Sequence, residues 1–270
     1  MIDGMAFERL EVRRDGDLLW VTLSDPARAN ALSPAMIGEL TELYGSPLRD
    51  QGIRAVLLSG SGRNFSAGAD LEHLRSLRDA GEEENLRDSM RLRGLFESVL
   101  RQDALTIALV HGACVAGGCG LATAHDFVVA AEDAKLLYSE VRIGFVAALV
   151  ATYLPLRCKG SDIRELLLFP QFVDARRALE IGLVNRVVPT QELSTVGETL
   201  AAQILETGSS ESIARTKRLL LDVLGRPLGE ALDHAARVNA ASRATADCKH
   251  GIATFLETKK PPVWREKRQE

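Results

Sequence analysis

The stretch ACVAGGCGLATAHD, residues 113–126, places a glycine pair where a buried strand is predicted to end and a helix to begin. The pair is Gly117-Gly118, and Gly120 follows two residues later. Glycine lets backbone N–H groups come close to a ligand, and the start of a helix adds the positive end of its dipole. A single loop of this kind is often a plain tight turn. Two such N–H groups that face one oxygen atom form an oxyanion hole.

A second glycine-rich loop, GSGRNFSAGAD (60–70), lies earlier in the chain. It follows the segment IRAVLLSG (53–60), whereas the loop that contains Gly117 and Gly118 follows the segment LTIALV (105–110). Both segments are apolar on both faces, which is typical of fully buried strands. The polar segment between them, residues 71–103, predicts one or two helices. This order of strand, glycine loop, helix and strand predicts an α/β layer built from crossover units.

Other signals mark the ends of single elements. Residues 7–23 predict two strands that turn at Asp15-Gly16. Ser33-Pro34 predicts the start of an amphipathic helix, since serine caps a helix and proline suits its first position. A further helix is expected from about Phe145.

From about residue 190 onward, only helical patterns remain. We therefore predict an α/β core with the ligand site over residues 1–190 and a helical C-terminal region over residues 191–270. A chain of 270 residues is long enough for one large domain with such an appendage.

Composition excludes several classes of protein. The net charge of −4 argues against a nucleic-acid-binding face. The four cysteines form no C-x-x-C pair, which predicts reduced thiols in the cytoplasm, and the five histidines show no metal-ligand spacing. The N-terminus lacks the apolar core of a signal peptide. The longest apolar run, residues 143–156, is shorter than the ~20 residues of a membrane span.

Three common glycine motifs do not match. A dinucleotide fingerprint would need a glycine at Phe65, and a P-loop would need Lys and Ser or Thr where Gly118 and Cys119 stand. A nucleophile elbow around Ser66 would need a glycine where Asn64 stands.

The two glycine loops resemble the two signatures of the crotonase superfamily, also called the enoyl-CoA hydratase/isomerase family. NFSAGADL (64–71) is similar to the first signature, and HGACVAGGCGLA (111–122), closed by Asp126, is similar to the second. Further matches in the same order are DP (25–26), ANAL (29–32), ALEIGLVN (178–185) and GIATFLE (251–257).

This resemblance implies an α/β fold of the crotonase type, a spiral of β-β-α units whose C-terminal helical region forms trimers. It implies an acyl-CoA thioester as substrate and a homotrimer or a dimer of trimers as the assembly. No cofactor is expected, because coenzyme A is part of the substrate. Neither a nucleic acid nor a membrane is expected as a partner.

The resemblance also implies which groups bind the substrate. The backbone N–H groups of Ala69 and Gly117 would form the oxyanion hole for the thioester oxygen. The implied substrate-binding residues are Arg28, Ser66, Ala67, Gly68, Asp70, Gly118, Gly120 and Arg142. Arg28 is a candidate for the CoA phosphates, although an arginine in a loop is commonly a solvated surface charge. His111 is expected to make a structural hydrogen bond.

Hydratases of the family use two glutamates as acid and base. YSEVRIGF (138–145) resembles the segment of the second glutamate, which implies that Glu140 transfers the proton, while Gly120 stands where the first is expected. An apolar neighbourhood should raise the pKa of Glu140, which suits proton transfer near neutral pH. Arg142 could pair with Glu140, bind a substrate carboxylate or face solvent.

The leading prediction is an enoyl-CoA hydratase that adds water to a 2-enoyl-CoA. A Δ3,Δ2-enoyl-CoA isomerase stays open, because one carboxylate can move a proton from C2 to C4. Thioester hydrolysis, decarboxylation, dehalogenation and a non-catalytic acyl-CoA-binding protein also stay open. The glycine at Gly120 is either a simple loss of a carboxylate or part of a pocket remodelled for a bulkier acyl chain, and we favour the second.

Overall fold

The computed structural model describes residues 6–265, so the outermost five residues of each predicted region lie outside it. The strands are β1 (Leu10–Asp15), β2 (Leu18–Leu23), β3 (Ala55–Gly60), β4 (Leu105–Val110), β5 (Ala113–Val115), β6 (Phe127–Ala131), β7 (Lys135–Leu137), β8 (Val173–Asp174) and β9 (Arg186–Val188). The helices are α1 (Pro34–Gly45), α2 (Leu71–Leu77), α3 (Glu82–Arg101), α4 (Gly117–Ala124), α5 (Ala148–Ala151), α6 (Gly160–Leu168), α7 (Ala175–Glu180), α8 (Leu193–Thr207), α9 (Ser210–Asp222), α10 (Leu228–Ser242) and α11 (Ala246–Thr258).

A six-stranded sheet with the order β1-β2-β3-β4-β6-β9 forms the centre of the fold. The β1–β2 pair is antiparallel, and every other neighbouring pair in this sheet is parallel. A three-stranded sheet, β5-β7-β8, lies beside it. All six residues of β4 are buried, as its apolar sequence predicts for a central parallel strand.

Apolar side chains cover both faces of the large sheet. Val56 and Leu58 of β3 belong to the cluster that includes residues of α1, α3 and α4. Ala55 and Leu57 point to the other face, where Leu200 and other residues of α8 cover them. α8 thus packs against the sheet, although it lies within the predicted C-terminal region. The division at residue 190 stays a prediction.

Most elements read from the sequence are confirmed. The chain turns between β1 and β2 at Gly16, and the Ser33 side chain caps α1 by accepting a hydrogen bond from Met36 N. The helix expected from about Phe145 is wrong. A 3₁₀ turn, Glu140–Ile143, ends at Gly144, which has φ of 76°, and the short helix α5 begins only at Ala148. None of the helices between residues 6 and 265 has the length and apolarity needed to cross a bilayer.

A buried asparagine holds the loop that follows β3. Asn30 has no exposed surface, and its φ of 53° places it in the left-handed region, where asparagine is tolerated. Its Nδ2 lies 2.9, 2.9 and 3.2 Å from the carbonyl oxygens of Ser61, Asn64 and Phe65. Its Oδ1 accepts a hydrogen bond from Asp25 N. One side chain therefore satisfies backbone groups on two segments.

Replacing Asn30 by Ala should lower the free energy of unfolding by about 2–4 kcal/mol, because buried carbonyls and an N–H group lose their partner. Urea denaturation measures the change. The control is Asn85→Ala, which removes an exposed asparagine that bonds only locally to Ala80 O. Equal effects of the two variants would contradict the bridging role of Asn30.

Candidate active site

The first glycine loop (residues 60–70) and the second glycine loop (residues 111–118) meet along their backbones. Ser66 N donates to Ala113 O at 3.3 Å, and Val115 N donates to Ser66 O at 2.9 Å. Each loop follows a strand of the parallel sheet, so the sheet brings both to the same edge. The two glycine loops therefore lie side by side, with Ser66 between Ala113 and Val115.

Two glycines allow this close approach. A Cβ atom on Gly68, which has φ of 84°, would lie 2.5 Å from Val115 O and 3.3 Å from Gly117 N. A Cβ atom on Gly118 would lie 2.8 Å from Ser66 O. Since carbon and oxygen atoms do not pack at 2.5–2.8 Å without a bond, a side chain at either position would push the two loops apart.

The chain of the first loop alternates between the interior and the surface. Ser66, Gly68 and Asp70 are buried, whereas Ala67 and Ala69 are exposed. The Ser66 hydroxyl donates to Asn30 O at 2.8 Å and accepts from Gly68 N. This alternation brings Ala69 to the surface, while the residues on either side of it are anchored.

The backbone N–H groups of Ala69 and Gly117 are unpartnered donors. Across residues 6–265, no protein atom accepts a hydrogen bond from either of them. Gly117 is the first residue of α4, where helical N–H groups have no partner within the helix. The preceding Ala116 has φ of 47° and ψ of −118°, a conformation that costs free energy for a non-glycine residue and is common at functional sites.

Glu140 supplies a carboxylate in a desolvated position. It opens the 3₁₀ turn that follows β7, and its Oε2 is buried without a hydrogen-bond partner among the described residues. Burial raises the pKa of Glu140 above its ordinary value, while backbone N–H groups of Glu140 and Ser139 oppose this rise. The direction predicted from the sequence is confirmed. A carboxylate that is poorly solvated and unpaired is a stronger base than one in water.

The space beside Gly120 is filled by protein. A Cβ atom on Gly120 would lie 2.7 Å from Phe96 Cζ and 2.8 Å from Val150 Cγ1. The Tyr153 hydroxyl donates to Gly120 O at 2.9 Å, and its ring packs edge-on against Phe96. The expectation that the missing side chain leaves room for a bulkier acyl chain is therefore wrong at this position. Two apolar side chains close it.

Arg142 does not pair with Glu140 in the part of the chain that the structure describes. Its Nε donates to Pro170 O at 3.0 Å, and its Nη2 contacts the same oxygen. This contact joins the 3₁₀ turn to the loop after α6. The Arg142 side chain is otherwise exposed to solvent. Its binding of a substrate carboxylate stays a prediction.

Arg28 is held by two carboxylates. Its Nη1 lies 3.1 Å from Asp70 Oδ2, and its Nη2 lies 3.1 Å from Glu72 Oε2. The Arg28 side chain is 49% exposed, so one side of the guanidinium still faces solvent. Its contact with the CoA phosphates stays a prediction. His111 makes the expected structural contact, with Nε2 3.1 Å from Gly62 O.

Sequence reasoning missed the residues around Gly120. Phe96 lies on α3, Val150 on α5 and Tyr153 just after α5, so only tertiary packing brings them together. The apolar run 143–156 is evident in the sequence, but its period does not show which residues face α4.

Two cavities of about 280 and 430 Å³ are lined in part by Tyr153, and neither is lined by residues of the two glycine loops.

Known proteins resemble this chain over nearly its whole length. The family model described as enoyl-CoA hydratase/isomerase matches residues 13–267. A Thermus thermophilus protein named "Putative enoyl-CoA hydratase" is 43% identical over 247 residues, which are 92% of this chain and 97% of that protein. The human mitochondrial protein named Delta(3,5)-Delta(2,4)-dienoyl-CoA isomerase is 30% identical over 252 residues, which are 90% of this chain and 77% of that protein.

Solved structures show the same architecture. Pseudomonas aeruginosa AtuE superimposes with a TM-score of 0.88 at 32% identity and covers 96% of this chain and 100% of its own. An enoyl-CoA hydratase of Mycobacterium smegmatis has a TM-score of 0.86 at 30% identity and covers 95% of this chain and 98% of its own. These matches confirm the predicted crotonase-like α/β fold with C-terminal helices.

Replacing Gly120 by Ala should lower the free energy of unfolding by about 1–3 kcal/mol, because the methyl group would overlap Phe96 and Val150. The control is Gly94→Ala in α3, where a Cβ atom would have no neighbour within 4 Å. That change should stabilise the helix by up to about 1 kcal/mol. Urea denaturation of both variants tests the packing, and a neutral Gly120→Ala would contradict it.

Replacing Glu140 by Gln should raise the urea midpoint at neutral pH, and the gain should shrink in acid. The pKa of Glu140 is higher in the folded chain than its ordinary value. The charged form therefore opposes folding above that raised pKa, whereas below the ordinary pKa both states are protonated and the difference disappears. Glu132→Gln, at an exposed site, is the control. A gain that is independent of pH would rule out this cause.

Proposed function

Because the chain belongs to the enoyl-CoA hydratase/isomerase family, we propose that it binds an acyl-CoA thioester and adds water to a 2-enoyl-CoA. One observation carries the proposal. Two unpartnered backbone N–H groups, of Ala69 and Gly117, lie where the two glycine loops meet. Such fixed donors stabilise the negative charge that develops on a thioester oxygen when C2 becomes nucleophilic.

Glu140 supplies both proton transfers in this reaction. Its carboxylate takes a proton from water while the water oxygen bonds to C3 of the enoyl group. The C2–C3 double bond shifts to C1–C2, and the carbonyl electrons move onto the thioester oxygen. The resulting enolate oxygen accepts hydrogen bonds from the N–H groups of Ala69 and Gly117. The same proton then passes from Glu140 to C2, and the carboxylate is restored. The raised pKa of Glu140 suits a group that accepts and returns a proton near neutral pH.

A second candidate is the movement of a double bond from C3 to C2 of the acyl chain. The observation that favours it is the apolar surface formed by Phe96 and Val150 beside Gly120, where a second carboxylate would have oriented water. Glu140 alone is enough here, because it takes a proton from C2 and returns it to C4 through the same enolate. The human relative named as an isomerase agrees with this candidate.

Purified protein incubated with crotonoyl-CoA and with 3-butenoyl-CoA separates the candidates. Hydration gives 3-hydroxybutanoyl-CoA from crotonoyl-CoA, whereas isomerisation gives crotonoyl-CoA from 3-butenoyl-CoA. Thioester hydrolysis would release free coenzyme A. If the protein binds both thioesters and converts neither, the non-catalytic alternative replaces both proposals.

Several further expectations belong to this proposal. Coenzyme A arrives as part of the substrate, and the reaction needs no other cofactor. Arg28 is the proposed contact of its phosphates, and the backbone from Ser66 to Ala69 is the proposed contact of its adenine and pantetheine. The cytoplasmic location expected from the cysteines stays a prediction.

We also propose a homotrimer or a dimer of trimers. The C-terminal helices expose large apolar side chains, and faces of this kind mark protein–protein contacts. The exposed residues are Leu228 and Leu232 of α10 and Ile252, Phe255 and Leu256 of α11. Light scattering at micromolar concentration should therefore give a trimer or a hexamer. A monomer would contradict the assembly without affecting the proposed chemistry.

Replacing Glu140 by Gln should lower kcat by ~10²–10⁴ on the better of the two thioesters, because the amide cannot accept the proton. Affinity for coenzyme A should be nearly unchanged, since Glu140 is not among the groups proposed to bind it. Steady-state kinetics and calorimetry measure the two effects, with Glu132→Gln as the matched control. A variant with wild-type kcat would exclude Glu140 from the proton transfer.

A further inference from the structure

A buried carboxylate directly follows the first proposed oxyanion donor. Asp70 is 5% exposed, and both oxygens of its side chain accept hydrogen bonds. Its Oδ1 accepts a hydrogen bond from His73 N at 2.9 Å, which caps α2, and its Oδ2 accepts one from Arg28 Nη1 at 3.1 Å. These donors lower the pKa of Asp70, with the His73 N–H as the largest cause, so the carboxylate stays charged near neutral pH.

The residue on the other side of Ala69 is also fixed. Gly68 O accepts a hydrogen bond from Leu32 N at 2.7 Å, and Gly68 is packed against Val115 O. Ala69 itself is exposed, and its N–H has no acceptor among the described residues. The direction of this N–H therefore depends on the two neighbours that hold the backbone, Gly68 before it and Asp70 after it.

The helix α2, which follows Asp70, has few contacts that would hold the backbone at Ala69 in place. None of its residues is fully buried, and only Leu74 and Leu77 are half-buried apolar residues, so apolar packing contributes little to holding this helix. Its polar contacts with other groups include the Asp70 cap, the ion pair of Glu72 Oε2 with Arg28 Nη2 at 3.1 Å, and the contact of His73 Nε2 with Asp88 Oδ1 at 2.6 Å. The Asp70 carboxylate makes the first of these contacts, and its other oxygen holds Arg28, the partner of Glu72, at 3.1 Å.

We propose that Asp70 is a positioning residue, whose buried carboxylate aims the Ala69 N–H at the thioester oxygen. Asp70 does not touch the reacting atoms. It fixes the peptide between Ala69 and the start of α2 by bonding to His73 N within the helix and to Arg28 on another segment. The inference rests on the proposed function, because it assigns a purpose to one of the two oxyanion donors.

A purely structural cap would behave differently, and the chain contains a matched example. Asp174 caps α7, a helix of similar length, and its Oδ1 accepts a hydrogen bond from Arg177 N at 2.7 Å. Asp174 is exposed and is not part of either glycine loop. Asp174→Ala therefore removes a helix cap without altering the residues around Ala69.

Acetoacetyl-CoA reports the strength of the oxyanion hole without turnover. Its C2 proton is acidic, and the enolate that forms on its loss absorbs in the near ultraviolet. Fixed N–H donors favour the bound enolate, so the wild-type protein should lower the apparent pKa of the bound thioester. Asp70→Ala should reduce this shift, with about a 10-fold to 100-fold loss of enolate affinity relative to the neutral form.

Kinetics on the better thioester provide the second readout. Asp70→Ala should lower kcat by about 10-fold to 100-fold with little change in KM, because the donor acts on the enolate more than on the bound substrate. Asp70→Asn should fall between Asp70→Ala and wild type, since its amide oxygen still caps α2 but carries no charge for Arg28. Circular dichroism and urea denaturation confirm that each variant is folded at the assay temperature.

The outcomes are distinct. Asp70→Ala that keeps the wild-type enolate shift and kcat would overturn the proposal, and so would Asp174→Ala that loses both to the same extent. If Asp70→Ala does not fold, Asp70→Asn decides by the same two readouts. A wild-type protein that neither shifts the acetoacetyl-CoA pKa nor converts either thioester would overturn the proposed function itself, together with this inference.

Discussion

The close contact between Ser66 and Gly118 is the constraint on which the rest of the site depends. With a glycine at 118 and another at 68, the two loops approach until their backbones bond directly. A side chain at either position would overlap the facing backbone, so the loops could not approach this closely. This approach brings the N–H groups of Ala69 and Gly117 into one region, where neither has an acceptor among residues 6–265. The parallel sheet places the loops, and the glycines let them meet.

The second feature is the contrast between positions 140 and 120. Glu140 keeps a carboxylate that burial makes basic, with one oxygen left without a partner. Position 120, by contrast, is a glycine, and Phe96 and Val150 fill the space beside it. A single carboxylate beside an apolar surface is sufficient for chemistry that passes one proton through an enolate. A protein that leaves a buried polar atom unsatisfied gives up some stability, which is typical of functional sites.

The sequence predicted the features that depend on local order along the chain. The apolar runs of β3 and β4, the Ser33 cap and the glycine loops are each specified within a few neighbouring residues, and the structure contains them. The helix expected from Phe145 failed because Gly144 takes a left-handed conformation and Phe145 and Val146 face solvent, so no apolar face is buried there. The packing of Phe96, Val150 and Tyr153 around Gly120 joins elements far apart in the chain, which no pattern of spacing shows. For the same reason, Asp70 could be matched to a motif but not to its partners Arg28 and His73.

The central claim is that this site forms an enolate at C2 with Glu140 as the only proton carrier. Proton NMR of the crotonoyl-CoA and 3-butenoyl-CoA reactions in D₂O tests it most directly. The account predicts that any 3-hydroxybutanoyl-CoA formed from crotonoyl-CoA carries solvent deuterium at C2. It predicts that any crotonoyl-CoA formed from 3-butenoyl-CoA retains at C4 protium that came from C2, because one carboxylate carries it, and that Glu140→Gln abolishes both reactions. Conversion of either thioester by Glu140→Gln at the wild-type rate would contradict it.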